Sequence, residues 1–140
     1  MAKMNAEQLD AFLAKPRIAM LTSVYADGRP TAVPVWFEWN GGKALVFTSE
    51  SSEKIARIKA NNKVALSVAE GVGVQEAWVT IEGTATIESE GGMALAKRLL
   101  PKYYTPQRVA KALPEWEKMA DQWVVISIDP SRIRSSAPEG

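Results

Sequence analysis

Val46-Phe47-Thr48-Ser49-Glu50-Ser51-Ser52-Glu53-Lys54-Ile55-Ala56-Arg57-Ile58, followed by Asn61-Asn62-Lys63-Val64-Ala65-Leu66-Ser67-Val68, reads as strand, hydroxyl-rich turn, short helix and second strand. Thr48, Ser49, Ser51 and Ser52 supply hydroxyls, and Lys54 falls in the first helical turn. Free backbone N–H groups at a helix start, beside a lysine and hydroxyls, suit a phosphate or another anion. A Ser-Glu-Lys start is equally an ordinary capped surface helix, with Ser52 as the cap. Arg57 lies about one turn after Lys54, on a neighbouring face. It can reach the same anion or face solvent, and the spacing alone leaves both readings open.

Upstream, Asn5 with Gln8 three positions later reads as a capped helix start, and Pro16 stops that helix. Ile18 to Tyr25 reads as a strand, Asp27-Gly28 as the turn, and Thr31 to Trp39 as one partner strand. Asn40-Gly41-Gly42 then turns the chain into Lys43–Thr48. Downstream, Val64–Ala69 and Ala77–Glu88 read as strands, with Gly83 marking a bulge or a close backbone approach. Gly91–Tyr104 reads as a helix kinked at Pro101, and Thr105-Pro106 starts another running to about Leu113. Pro114-Glu115-Trp116 reads as the start of a further short helix, Trp123–Ile128 as the sixth strand, and Ile133–Ser135 as a short addition. The tail from Ser135 to Gly140 reads as loosely held. Short antiparallel strands with few helices predict a small barrel or sandwich in one domain over residues 1–140.

Composition narrows the function. With 17 basic and 16 acidic residues there is no electrostatic case for nucleic acid or an anionic membrane. No apolar run reaches membrane-spanning length, and the first residues lack a signal-peptide core, so a cytoplasmic location is expected. The chain has neither cysteine nor histidine, which removes disulfides, thiolate nucleophiles, serine–histidine hydrolysis and histidine-held metal. Chemistry on such a chain is best borrowed from an organic cofactor.

The quoted stretch resembles, without a gap, the cofactor-phosphate segment of the pyridoxamine 5′-phosphate oxidase-like family of flavin-binding split β-barrels. The family's aromatic-Thr strand end, Ser-Arg-Lys helix start and Asn-Asn before an Arg-Val strand read here Phe47-Thr48, Ser52-Glu53-Lys54 and Asn61-Asn62-Lys63-Val64. The resemblance continues through Asp27-Gly28-Arg29-Pro30, Pro34-Val35-Trp36-Phe37, Trp78 to Ala85 and the strand around Trp123–Ile128. It implies a mainly β, six-stranded antiparallel split barrel with a few peripheral helices. It also implies a homodimer with cofactor in the clefts between subunits, and a small-molecule substrate. The cofactor-binding residues it implies are Pro34, Val35, Trp36, Phe37, Phe47, Thr48, Ser49, Ser52, Lys54, Arg57 and Trp78. FMN is the expected cofactor, with the deazaflavin F420 as the alternative, because F420's acidic tail favours a basic groove and Glu50 and Glu53 offset the cations here.

The chain also departs from the family. Glu53 stands where many members carry a phosphate-pairing arginine. Val33 and Glu38 stand where the vitamin-B6 oxidases have an arginine and a lysine, and those oxidases' C-terminal substrate residues are missing. The resemblance therefore implies a small relative rather than the vitamin-B6 oxidase. The expected function is flavin-dependent oxidoreduction of a small organic substrate. The other reading is a non-catalytic holder of flavin or haem. Trp116 and Trp123 read as core or interface, and Tyr103 and Tyr104 sit close enough to the helix break to reach the cleft.

Overall fold

The computed structural model describes residues 1–139. The chain opens with α1 (Ala6–Ala14), held by a reciprocal cap in which Asn5 and Gln8 side chains each accept the other's backbone N–H, at 2.8 and 2.9 Å. Strands β1 (Ala19–Val24), β2 (Pro30–Val35), β3 (Glu38–Asn40) and β4 (Lys43–Ser49) follow. Helix α2 (Glu53–Ala60), β5 (Lys63–Ala69) and β6 (Trp78–Glu88) come next. The remainder is α3 (Gly92–Tyr103), α4 (Pro106–Glu117) and β7 (Trp123–Ser136).

All strands join one seven-stranded antiparallel sheet in the order β2-β1-β5-β6-β7-β4-β3. Seven strands replace the six expected, for a physical reason. Thr31 to Trp39 alternates like one strand, but its pairing partners change at Trp36–Phe37. Residues before that point pair with β1 and residues after it pair with β4, at the opposite edge of the sheet. Those two residues carry the chain from one edge to the other and curl the sheet into a barrel.

The last strands differ in the opposite sense. Trp123–Ile128 and Ile133–Ser135 are one strand, because Asp129 and Pro130 stay paired with Thr84 and Gly83 and Ser131 is the residue bulged out against β6. The register slips between Glu82 and Gly83, where a Cβ on Gly83 would stand 2.2 Å from the Asp129 carbonyl oxygen. Only glycine allows that approach. Pro114 does not start a new helix; α4 runs through it to Glu117. Of the tail, Ser135 to Ala137 is held rather than loose. Ala2 and Ala137 exchange backbone hydrogen bonds of 2.8 and 2.9 Å, and the Ser135 hydroxyl accepts from the Met4 N–H. Gly140 lies outside the described residues.

Inward-facing side chains fill the barrel, including Leu21, Val46, Leu66, Ile81, Ile126 and Ile128, all essentially solvent-free. Each such side chain contributes about 1.5–3 kcal/mol of burial. The same cluster takes in Phe12 and Leu13 of α1 and Ile55 and Ile58 of α2. Helix α3 covers the outer face of β4 and β7, with Leu95 and Leu99 packed on Val125 and the half-buried Trp36, Leu45, Phe47 and Tyr103.

Candidate site at the open seam and the Thr48–Arg57 turn

Short β3 leaves part of the sheet unpaired. On its β3 side, β4 is paired only through Lys43–Leu45. Among the described residues, that edge meets no strand from Val46 to Ser49, and the outer edge of β2 meets none either. The two free edges converge at the Trp36–Phe37 crossover. Unpaired strand edges offer backbone N–H and C=O groups to a ligand. Pro34–Phe37 lies on one side of this opening and Phe47–Ser49 on the other.

The hydroxyl turn closes one end of the seam. Thr48 points inward and donates its hydroxyl to Ser52 Oγ at 3.2 Å, and the Ser49 and Ser51 hydroxyls lie 3.0 Å apart. Ser52 precedes α2 with extended backbone, but its side chain does not cap the helix. The capping alternative for that side chain is thus not realised, and among the described residues no side chain takes up the first helical N–H groups.

Two cations of α2, Lys54 in its first turn and Arg57 in its last, lie three positions apart. Arg57 is only 9 % exposed, and its Nε donates to Ser23 Oγ at 3.0 Å. Its guanidinium lies 5.3 Å from the centre of the Tyr25 ring. The carboxylate near it is that of Glu53, 3.9 Å away and 93 % exposed. Lys54 is half-buried; burial first, and the Arg57 charge second, hold its ammonium below the ordinary lysine value of 10.5. Among the described residues no carboxylate lies within ion-pair distance of Lys54. Glu53, the departure at the family arginine position, turns to solvent and leans on Arg57. A set of cations and hydroxyls short of negative charge fits a phosphate.

The aromatic residues divide. Phe37 and Val35 enter the barrel core, and Pro34 is exposed on the outer face of β2. Trp36 stacks on Tyr103 with ring centres 4.6 Å apart and 6° between planes, and it meets Tyr104, Trp116 and Phe47 edgewise or tilted. Trp123 continues the cluster through Phe47 and Trp116. The rings of Trp36 and Phe47 are thus engaged by α3 and α4, and these residues offer the seam their backbone. Trp78 lies apart, at the start of β6 opposite Ala69 and Ser136.

Sequence reasoning missed Ser23, whose signal was a hydroxyl at an inward position of an apolar strand. It named Tyr103 without a role. The Tyr103 hydroxyl donates to the Arg17 carbonyl at 2.8 Å and accepts from the Phe37 N–H at 3.5 Å, clamping the crossover where that N–H has no strand partner. Burial pushes its phenol up from the ordinary 10.0. Glu38, at the family lysine position, is tied to Arg98 by bonds of 2.8 and 3.1 Å.

A family model described as pyridoxamine 5′-phosphate oxidase matches residues 6–136. No curated protein matches the chain. Among solved structures, an F420 reductase is similar at 22 % identity and TM-score 0.71, covering 89 % of this chain and 94 % of that one. A conserved hypothetical protein of Mycobacterium tuberculosis is similar at 21 % identity and TM-score 0.76, covering 98 % and 91 %. A FAD-binding protein of Mesorhizobium loti is similar at 20 % identity and TM-score 0.69, covering 97 % and 98 %. At these identities the structures support the fold.

Proposed function

Because the chain belongs to the pyridoxamine 5′-phosphate oxidase family, we propose that it anchors FMN at the Thr48–Arg57 turn and serves as a flavin-dependent oxidoreductase. The observation that carries this reading is the Lys54–Arg57 pair, two cations withdrawn from water without a close, buried carboxylate. F420 is the second reading, favoured by the F420 reductase among the similar folds. When bound, either cofactor supplies hydride or electron transfer to or from a small organic substrate.

The chain's own part is to bind, orient and exclude water. Lys54 and Arg57 neutralise the phosphate, and the hydroxyls of Thr48, Ser49 and Ser52 complete its hydrogen bonds. The backbone of Pro34–Phe37 and Thr48 would be available to hydrogen-bond the polar edge of the ring system. Tyr103 fixes that backbone from behind through Phe37. The Trp36–Tyr103 stack makes the adjoining wall rigid and apolar.

A homodimer completes the reading. The outer face of β2, β1, β5 and β6 presents exposed Ala32, Pro34 and Met20 beside the hydroxyls of Thr22, Ser67 and Thr80, with Trp78 at its end. A face of small and apolar groups suits a second copy. Trp78 then reaches the partner's cleft. Light scattering checks this: the parent runs at twice 15.3 kDa and Met20→Glu runs at 15.3 kDa. A monomeric parent with cofactor bound defeats the dimer reading.

The direct test is titration of purified protein with FMN and with F420. Lys54→Ala removes one charge-assisted contact worth roughly 1.5–3 kcal/mol, or about one to two decades in Kd. Unchanged Kd for both cofactors, with unchanged thermal stability, overturns the phosphate reading.

A further inference from the structure

The hairpin of α3 and α4 carries a second set of features that the cofactor reading does not use. From Gly91 to Pro114 the sequence holds Lys97, Arg98, Lys102, Arg108 and Lys111 and no acidic residue, in a chain of net charge +1. Lys97 reaches Glu117 at 4.0 Å, and Arg98 is taken by Glu38. Among the described residues no carboxylate lies within ion-pair distance of Lys102, Arg108 or Lys111. Between the helices lies a cleft of about 310 Å³ lined by Pro101, Tyr104, Pro106, Val109 and Ala110. A depression of about 220 Å³ lined by Thr105, Gln107, Arg108 and Lys111 adjoins it along α4. The Arg108 guanidinium stacks over the Tyr104 ring at 3.9 Å, on the boundary between the two. Helix α4 has no fully buried residue, although Val109, Leu113 and Trp116 line its inner side.

An apolar slot beside unpaired cations is complementary to one kind of small ligand. We propose that the α3–α4 hairpin binds an amphipathic monoanion, its apolar body in the Pro101–Val109 cleft and its carboxylate on Arg108 and Lys111. The slot has the volume of a small-molecule site, at the lower end of that range. Its cations are exposed, so they select charge sign at modest energetic cost, and the apolar wall supplies most of the affinity. The site shares no residue with the Thr48–Arg57 turn, so the proposal stands whether or not a flavin binds there. Tyr104 separates the cleft from the aromatic cluster, with Trp36 at 4.8 Å and Trp116 at 6.2 Å. Occupancy therefore changes the surroundings of two tryptophans, and intrinsic fluorescence reports it.

The experiment titrates the cofactor-free 140-residue chain with decanoate below its micelle concentration, reading tryptophan emission. Acetate supplies the head alone, and decyltrimethylammonium supplies the same tail with the opposite charge. The expected result is a saturable shift with decanoate only, weakened roughly tenfold in Arg108→Ala/Lys111→Ala. Both replaced residues are exposed, and an unchanged melting temperature verifies the fold. No saturable response to decanoate, equal binding of the cationic chain, or a double variant that binds like the parent overturns the proposal. So does cosedimentation with phosphatidylglycerol vesicles without a decanoate response, which assigns the hairpin to a lipid surface. Self-association abolished by Val109→Lys, again without a decanoate response, assigns it to a second copy.

Discussion

Replacing Arg57 separates a structural arginine from a ligand-binding one, because the two roles predict opposite patterns. In the cofactor-free chain, Arg57 gains a charged hydrogen bond to Ser23 of about 1.5–3 kcal/mol. Its approach to the Tyr25 ring adds about 0.5–1 kcal/mol. The exposed Glu53, at 3.9 Å, adds about 0–1 kcal/mol. Against these stands the desolvation of a guanidinium that is 9 % exposed, a cost of several kcal/mol. The terms nearly cancel. Arg57→Met with Ser23→Ala, which leaves neither partner stranded, should change cofactor-free stability by no more than about 1 kcal/mol. The same double variant should lose about 2–4 kcal/mol of phosphate affinity, roughly thirty- to several-hundred-fold in Kd. Chemical denaturation without ligand, and titration with FMN and inorganic phosphate, measure the two quantities separately. A stability loss above about 3 kcal/mol with unchanged FMN and phosphate affinity refutes the reasoning and makes Arg57 a purely structural group.

If Lys54 holds the anion, binding is pH-dependent. Its folded value lies below 10.5 without ligand, and a bound phosphate raises it again, so binding takes up a proton in that window. FMN affinity should fall as pH rises through the depressed value, by at most about tenfold per unit, and Lys54→Met should flatten the profile; a parent profile as flat as the variant's defeats this. The sign for stability agrees: without ligand the unfolded chain binds more protons in the window, so the free protein gains stability as pH rises there. Glu53→Arg should tighten FMN by less than about fivefold, since the replaced carboxylate is exposed and only loosely paired; a hundredfold gain would place Glu53 against the phosphate. Gly83→Ala forces a Cβ to 2.2 Å from the Asp129 carbonyl, so the bulge must open. That substitution should cost about 1–3 kcal/mol or more, and a melting curve matching the parent's would show the β6–β7 approach to be looser than described.

What the sequence revealed and concealed follows from the range of each signal. The Asn5–Gln8 cap and the Asp27-Gly28 and Asn40-Gly41-Gly42 turns are local, and each carried its own chemistry; Gly83 stood out as a glycine inside a strand, although its distant partner Asp129 did not. The division of Thr31 to Trp39 was hidden because inward and outward positions keep alternating through it: Val33 and Val35 face in, Trp36 out and Phe37 in. Alternation reports which face a side chain takes and is silent about which strand it pairs with. At Asp129-Pro130 and Pro114 the error ran the other way, because local breakers were outweighed by tertiary pairing and packing. At the candidate site Lys54 and its hydroxyls were legible as one contiguous turn. Ser23, from a distant strand, and the outward turn of Glu53 required the fold.

The placement of β4 between β7 and β3 has a consequence for how the chain folds. The β1–β2 and β3–β4 hairpins close over short loops, whereas Ala44 must find Ile128 and Ser49 must find Trp123 from far along the chain. Loop-closure entropy sets the order, local hairpins first and the β4–β7 seam late, so contact order predicts folding on the slow millisecond-to-second scale. The Thr48–Arg57 turn hangs from that last strand. If that turn holds a phosphate as proposed, the ligand can engage only a completed barrel and would act as a latch on the slowest step of assembly rather than as a template for the first.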